Sequence, residues 1–294
     1  MDMRSYLQQH ARKLDLYLYE YLFEGASPRP MLRELATYQN ADGGFGKALE
    51  PDLRLPDSSS LATVVAFQYL SHLPVRPEDG MVSQAIRYLM DSYDDARTGW
   101  TNIPPAANQF PRAPWWNYDR AHTSAEWGNP SAEILGYLLR YADLVRDDGF
   151  LQRLTEQAVR RLHAMDEPEP HEVKCYIRLH GLAHAELQRH LHGPLAQHIK
   201  RATITNPNEW HGDVVTPLTF IWSLASPFAA VFDQHLLLED AAHLRRQCID
   251  NTHWEPTWEW GQFDEDWATA RLEWSGKLTV EHLRLLSAFG LAVP

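Results

Sequence analysis

The sequence predicts an all-α protein of stacked helical hairpins. Three observations carry that expectation: about eleven stretches in which apolar residues recur at three- and four-residue spacing, no convincing alternating strand, and a glycine-rich corner between two amphipathic stretches. The first helix runs from Arg4 to Phe23, with Leu7, Leu14, Leu18 and Tyr21 on one stripe, and Gly25, Pro28 and Pro30 end it. Ser27 is placed to cap a short helix from Arg29 to Tyr38, which delivers the chain into the corner at Gln39.

The corner is Gln39-Asn40-Ala41-Asp42-Gly43-Gly44-Phe45-Gly46, followed by Lys47-Ala48-Leu49-Glu50-Pro51-Asp52. Glycines at 43, 44 and 46 open backbone conformations closed to other residues, with Gly44 expected at positive φ, and Phe45 can anchor the turn by burying its ring. The next helix carries Leu61, Val64, Val65 and Tyr69 and is closed by Pro74; another spans Glu78 to Ser92. A second corner, Asp95-Ala96-Arg97-Thr98-Gly99-Trp100, repeats the order of Asp, Gly and aromatic in degraded form. Pro104, Pro105, Pro111 and Pro114 then forbid regular helix over about thirty residues that hold Trp115, Trp116, Tyr118, His122, Glu126 and Trp127. So many aromatics argue for an ordered cover.

Asn129 and Pro130 supply a cap and a first-turn proline for a helix to Arg146, with Ile134, Leu138, Tyr141 and Val145 on its stripe. Gly149 separates it from a helix ending near Met165. A further helix is expected from His171 to about His190, and Gly193-Pro194 opens one more. Thr216 to Phe232 is apolar all round and reads as inner helical segments, Asp233 to Asp250 is amphipathic, and the last helix runs from Thr279 to Phe289 with Gly290 just beyond it.

The corner resembles the repeat of protein prenyltransferase β subunits and terpenoid cyclases, in which Gln-x-x-Asp-Gly-Gly-Phe-Gly joins an outer to an inner helix of an α/α toroid. The likeness continues into Ser60-Leu61-Ala62-Thr63-Val64-Val65-Ala66, which is similar to the start of the inner helix. It implies a single toroid domain over 1–294 built from about eleven to twelve helices. The fold itself does not specify a reaction. The reaction motifs of those families are absent: Asp264-Glu265-Asp266 departs from Asp-x-Asp-Asp, Asp94-Asp95 lacks the third aspartate of Asp-Asp-x-x-Asp, and no Asp, Cys and His zinc set matches.

A net charge of −12 without a Lys/Arg cluster argues against nucleic acid and anionic membrane as partners. A small-molecule ligand is expected. Two cysteines form no disulfide framework, Met1 to Ser5 lacks a signal-peptide apolar run, and no stretch reaches the roughly 20 apolar residues of a membrane span, so a cytoplasmic protein is expected. No cofactor is predicted, with zinc and magnesium left open.

The 11 Trp and 12 Tyr either fill a core or line a cavity. The densest mixture of acids and aromatics is His253 to Trp267, with Trp254, Trp258, Trp260, Asp264 and Asp266. Carboxylates against indoles can serve as proton donors and aromatic faces can stabilise a cation; the alternative is a closing loop whose acids face water. Glu50 and Asp52 are unexplained by turn chemistry, whereas Asp42 suits the turn and Asp57 with Ser58 a helix cap. The candidate acids are therefore Asp264, Asp266, Glu50 and Asp52, and the candidate cavity residues are Trp115, Trp116, His122, Trp127, Trp210, His211, Trp254, Trp258 and Trp260. The 254–266 group is expected to face the Trp115-Trp116 loop across a cavity.

His180 and His184, four apart, could be half of a metal site or satisfied core residues. His171 and Cys175 show the same spacing. The functional expectation is acid/base chemistry on a hydrophobic, isoprenoid-like molecule; the alternatives are a carbohydrate hydrolase or lyase and a non-catalytic scaffold that keeps the fold.

Overall fold

The computed structural model describes residues 1–74, 80–119 and 127–291. They form α-helices and short 3-10 turns; among them β pairing is limited to isolated bridges. The chain divides into two compact units, a terminal one of Met1–Ala36 with Thr203–Pro294 and a central one of Thr37–Ala202.

In the terminal unit the expected first helix is two, α1 (Met3–His10) and α2 (Lys13–Glu24). The chain turns at Ala11, which packs so closely on Gly276 that a Cβ at 276 would come within 2.5 Å of the Ala11 methyl. Arg12 then ion-pairs with buried Asp15 at 2.9 Å, which fixes the start of α2. α3 (Arg29–Thr37) buries Met31 and Leu35.

The central unit holds α4 (Ser60–Leu70), α5 (Gly80–Asp91), α6 (Gly128–Arg140), α7 (Ala142–Val145), α8 (Asp148–Ala164), α9 (Pro170–Leu182) and α10 (Ala185–Ala202). α6 packs against α4, α8 and α9, and α10 against α8 and α9. The beginning of the helix expected from Glu78 lies partly outside the described residues. α4 is capped by Ser59, whose hydroxyl accepts from the Ala62 amide at 3.0 Å, and not by the expected Asp57 and Ser58. The helix expected from His171 to His190 breaks at Ala183, and Pro194 lies inside α10 rather than opening a helix.

Back in the terminal unit, Thr216 to Phe232 forms 3-10 turns at Pro217–Thr219 and Ala229–Val231 instead of helical segments. Proline at 217 and 227 withholds the amides a regular helix would need. α11 (Gln234–Arg246) follows, then α12 (Asp264–Ala288), which begins fifteen residues before the expected Thr279. Asp264, Glu265 and Asp266 occupy its first turn, where carboxylates complement the exposed amides of a helix start. α12 packs against α1, α2 and α11.

One device recurs three times. At the first corner the Phe45 amide donates to the Thr63 hydroxyl on α4 at 3.1 Å; at the second the Trp100 amide donates to the Ser131 hydroxyl on α6 at 3.0 Å. At Ile249–His253, a third corner, the Trp254 amide donates to the Thr279 hydroxyl on α12 at 3.1 Å. All three aromatic rings are fully buried. The indoles of Trp100 and Trp254 also donate to the carbonyls of Leu89 and Leu244, at 2.6 and 2.8 Å, near the ends of α5 and α11. Lys47 does the same for the carbonyls of Thr37 and Gln39, at 2.8 and 2.9 Å. Each corner thus closes the open carbonyl end of one helix and pins its aromatic to the next.

The glycines of the first corner serve close approach. Gly43, not Gly44, has positive φ, at 91°. A Cβ on Gly44 would meet Ser58 and Tyr88 at 2.6 and 2.7 Å, and one on Gly46 would lie 2.2 Å from the Asp57 carbonyl oxygen. Asp42 accepts from the Gly44 amide at 3.0 Å and the Ser58 hydroxyl at 2.8 Å, which is turn chemistry.

Thr63→Val, Ser131→Ala and Thr279→Val should each destabilise the protein by roughly 1–3 kcal/mol, because each strands a buried amide donor. Urea unfolding of the three variants tests this; unchanged midpoints would show that the hydroxyls are dispensable. Gly44→Val should also lower the melting temperature, by collision with Ser58 and Tyr88.

Candidate functional site

In the central unit the segment carrying Glu50 and Asp52 lies against the segment leading to Trp115 and Trp116. The Arg54 amide donates to the Pro111 carbonyl at 3.0 Å, the Ala113 amide donates to the Asp52 carbonyl at 2.9 Å, and Leu53 bridges Arg112 between them. Leu53, Leu55, Ile103 and Ala107 form a small apolar core beneath, with Trp116 and Tyr118 packed on it. The Arg112 guanidinium holds the second segment in shape by donating to the carbonyls of Phe110 and Asn108 at 2.8 and 3.1 Å and to Asn117 Oδ1 at 2.9 Å.

Two candidate groups therefore share one neighbourhood. Glu50 and Asp52 are only 7% and 3% exposed, and each has interaction partners. Trp116 is half-buried with its indole nitrogen buried and unbonded, and Trp115 is exposed. Trp127 is buried with its indole donating to the Thr98 carbonyl at 2.8 Å. His122, and with it Glu126, lies outside the described residues.

A connected polar group runs through α4, α6 and α9 of the same unit. Glu133, almost fully buried, accepts from Gln68 Nε2 at 3.0 Å, from the Tyr137 hydroxyl at 2.7 Å and from Arg178 Nη1 at 3.0 Å. Cys175 points its sulfur at Asn129 Oδ1, 3.9 Å away, and Asn102 Nδ2 donates to the Asn129 carbonyl at 3.2 Å. The Asn102 side-chain oxygen is buried without a partner. Glu172 accepts from the Gly128 amide at 2.7 Å and so closes the start of α6. Burial, reinforced by the charge of Glu133, pushes the Cys175 thiol and the Tyr137 hydroxyl well up, so both keep their protons at neutral pH. Cys175 is thus no thiolate nucleophile. His171 is exposed and bonds Glu169 at 2.8 Å.

The half-metal reading of His180 and His184 does not survive the helix break. His180 is buried near the end of α9, while exposed His184 precedes α10 and accepts from the Leu187 amide at 3.4 Å. Among the described residues no three His, Cys, Asp or Glu side chains gather as metal ligands.

The terminal unit holds the remaining candidates. Trp210 is buried, its indole donating to the Ile204 carbonyl at 2.8 Å, and His211 beside it is exposed. Trp254 is the pinned aromatic of the third corner and meets His282 edge-on at 5.4 Å. Trp260 is buried against Trp267 at 5.6 Å. Trp258 is half-buried and edge-on to Trp274 at 5.1 Å. Asp264 is exposed and Asp266 half-buried, both in the first turn of α12. The 254–266 group and the Trp115-Trp116 segment fall in different units.

Sequence reasoning missed Glu133. Its signal was an acid inside the otherwise apolar run Ala132-Glu133-Ile134-Leu135, with Tyr137 one turn on. It also missed Asp240 on α11, whose carboxylate accepts from the Leu218 amide at 2.8 Å. Burial raises that carboxyl to about 6, against the opposing bonds from Leu218 and Thr216.

Comparison with protein-family models, curated proteins and solved structures returned no match. Among the described residues no helix is long and apolar enough to cross a membrane.

Arg178→Met should cost roughly 3–5 kcal/mol by leaving Glu133 buried with its main charge partner gone, and Glu133→Gln in the same chain should restore much of that. A double-mutant cycle measures the coupling; additive effects would mean the pair is not coupled. Asp240 holds its proton more tightly folded than unfolded, so its contribution to stability is full below about pH 4 and is lost as pH rises through about 6. Wild type should therefore lose up to about 3 kcal/mol relative to Asp240→Asn across that window, since one pKa unit is about 1.4 kcal/mol. A constant difference between the two stability curves would contradict it.

Proposed function

We propose that the chain is an α/α toroid of the kind seen in terpenoid cyclases and prenyltransferase β subunits, and that it performs acid/base chemistry on a hydrophobic, isoprenoid-like small molecule. The toroid reading is supported by the three corners, each joining the end of one helix to the next through a buried aromatic and a hydroxyl. The acids are Glu50 and Asp52. The observation that carries this choice is their burial at 7% and 3% in a segment laid against the one bearing Trp116. A carboxyl shielded from water exchanges a proton with a bound molecule without solvent competing for it. Asp264 and Asp266, in the first turn of α12, have a sufficient role at the helix start. The absent diphosphate-metal motif fits a protonation or proton-abstraction step better than diphosphate departure.

A non-catalytic binding protein is the second reading, favoured by the burial of Trp100, Trp127, Trp210 and Trp254, whose indoles bond backbone carbonyls as core residues do. Incubating the protein with a panel of isoprenoid alcohols and alkenes, with native mass spectrometry for retention and gas chromatography for conversion, separates the two. Glu50→Gln and Asp52→Asn should abolish conversion and keep retention. Retention without conversion by wild type would establish the binding protein, and no retention of any apolar molecule would end both readings.

A further inference from the structure

We propose that the hollow beside the last turn of α11 binds a small phosphate monoester, with Arg245 and Arg246 holding the phosphate and Leu291 covering the apolar group of the ester. The site belongs to the terminal unit, whereas Glu50 and Asp52 belong to the central one, and the proposal does not depend on their chemistry.

A cavity of about 290 Å³ opens there, lined by Ala242, Arg245, Arg246 and Leu291. Arg245 and Arg246 follow Ala242 by three and four residues on α11, so the three share one face of the helix. Leu291 comes from beyond the end of α12. Its amide donates to the Leu286 carbonyl at 3.0 Å, and Gly290, at φ 71°, turns the chain so that this bond forms. Since α11 and α12 pack together, the walls are two helix ends of one unit.

Arginines in a last helical turn ordinarily bond the open carbonyls there. At this end that role is filled: the Leu244 carbonyl accepts from the Trp254 indole at 2.8 Å and from the Gln247 amide at 3.2 Å, and the Arg245 carbonyl accepts from the Cys248 amide at 3.2 Å. Among the described residues no hydrogen bond, ion pair or ring contact engages either guanidinium. Acids outnumber bases in this chain, and Arg4, Arg12, Arg160, Arg178 and Arg271 each pair with a carboxylate. The charge of Arg246 acts instead on His243, whose imidazole is held below its usual value by burial and then by that charge. Two neighbouring cations on one cavity repel each other, and a dianion between them removes that cost.

The donors and the volume select the ligand class. Two guanidiniums bring two charges and forked N–H groups that match phosphate oxygens bidentately. A phosphate monoester carries about two negative charges at pH 7.5, whereas a monocarboxylate balances only one of the two cations. A polynucleotide is repelled by the net charge of −12. The cavity lies at the small end of ligand sites, which run upward from about 300 Å³, so it suits a phosphate bearing one compact group, and Ala242 and Leu291 give that group an apolar surface.

Isothermal titration calorimetry with phenyl phosphate at pH 7.5 tests the assignment. Saturable one-to-one binding is expected, weakened about tenfold by Arg245→Gln and about tenfold by Arg246→Gln, as the loss of a charged hydrogen-bond donor predicts. Both arginines are exposed, so these changes leave the core untouched. Leu291→Asn should weaken phenyl phosphate and leave inorganic phosphate unchanged. On wild type, phenyl phosphate should bind more tightly than inorganic phosphate or glutarate, and benzyl alcohol should not bind. The His243 imidazole should titrate at higher pH with phenyl phosphate present, because the ligand offsets the Arg246 charge. Glu50→Gln should bind phenyl phosphate as wild type does, so this result and the acid chemistry stand or fall separately. Absence of binding, equal binding by the doubly substituted Arg245→Gln, Arg246→Gln chain, glutarate or inorganic phosphate binding as tightly as phenyl phosphate, or preferential capture on phosphatidic acid vesicles would each overturn the assignment.

Discussion

A hydroxyl on one helix accepting the amide of a buried aromatic in the preceding turn is the contact on which both units are built. Thr63, Ser131 and Thr279 each do this, for Phe45, Trp100 and Trp254. A tight corner leaves its amides without helix partners, and a buried amide without an acceptor is costly. Supplying the acceptor from the following helix solves that cost and sets the register of the helix against the turn. In Thr63 and Thr279 the hydroxyl hydrogen goes to the carbonyl four residues back, at Ser59 and Ser275, so the helix that supplies the acceptor completes its own bonding.

Buried charge is handled in three different ways. Glu133 is surrounded by donors from three helices and reads as a rivet for α4, α6 and α9: Gln68, Tyr137 and Arg178 close on one carboxylate. Asp15 is held in the same way by Arg12. Glu50 and Asp52 instead sit on an irregular segment. That segment lies against the one that carries Trp116, whose indole nitrogen is buried and unbonded. Lys277 shows a third arrangement, a cation near the Trp274 ring that is paired with Glu281 one turn on.

The tryptophans show why composition alone could not separate core from site. Trp254 and Trp258 belong to the same dense stretch of sequence, yet one indole bonds the Leu244 carbonyl and the other has no acceptor. The difference lies in which carbonyl ends of helices they reach. Helix ends were likewise hidden: the break at Ala11 depends on Gly276, more than 200 residues away in sequence, and the break at Ala183 removes a histidine spacing that looked like a ligand pair. The third corner escaped notice because the aromatic-to-hydroxyl separations are 18, 31 and 25 residues, so no fixed repeat length links them.

What the sequence determined by itself was local: helical periodicity, the turn chemistry of Asp42 and the glycines, the prolines that forbid helix around 104–114, and the absence of alternating strands. These depend on backbone sterics and on contacts within a few residues, so a chain segment carries them wherever it is placed. Tertiary structure alone decided which acids are buried, which indoles find a carbonyl, and that Asp264 to Trp274 is helix rather than loop. Each of those outcomes turns on a partner distant in the chain, and solvent exclusion, which sets the value of every charge and hydrogen bond in the site, exists only once the helices have packed.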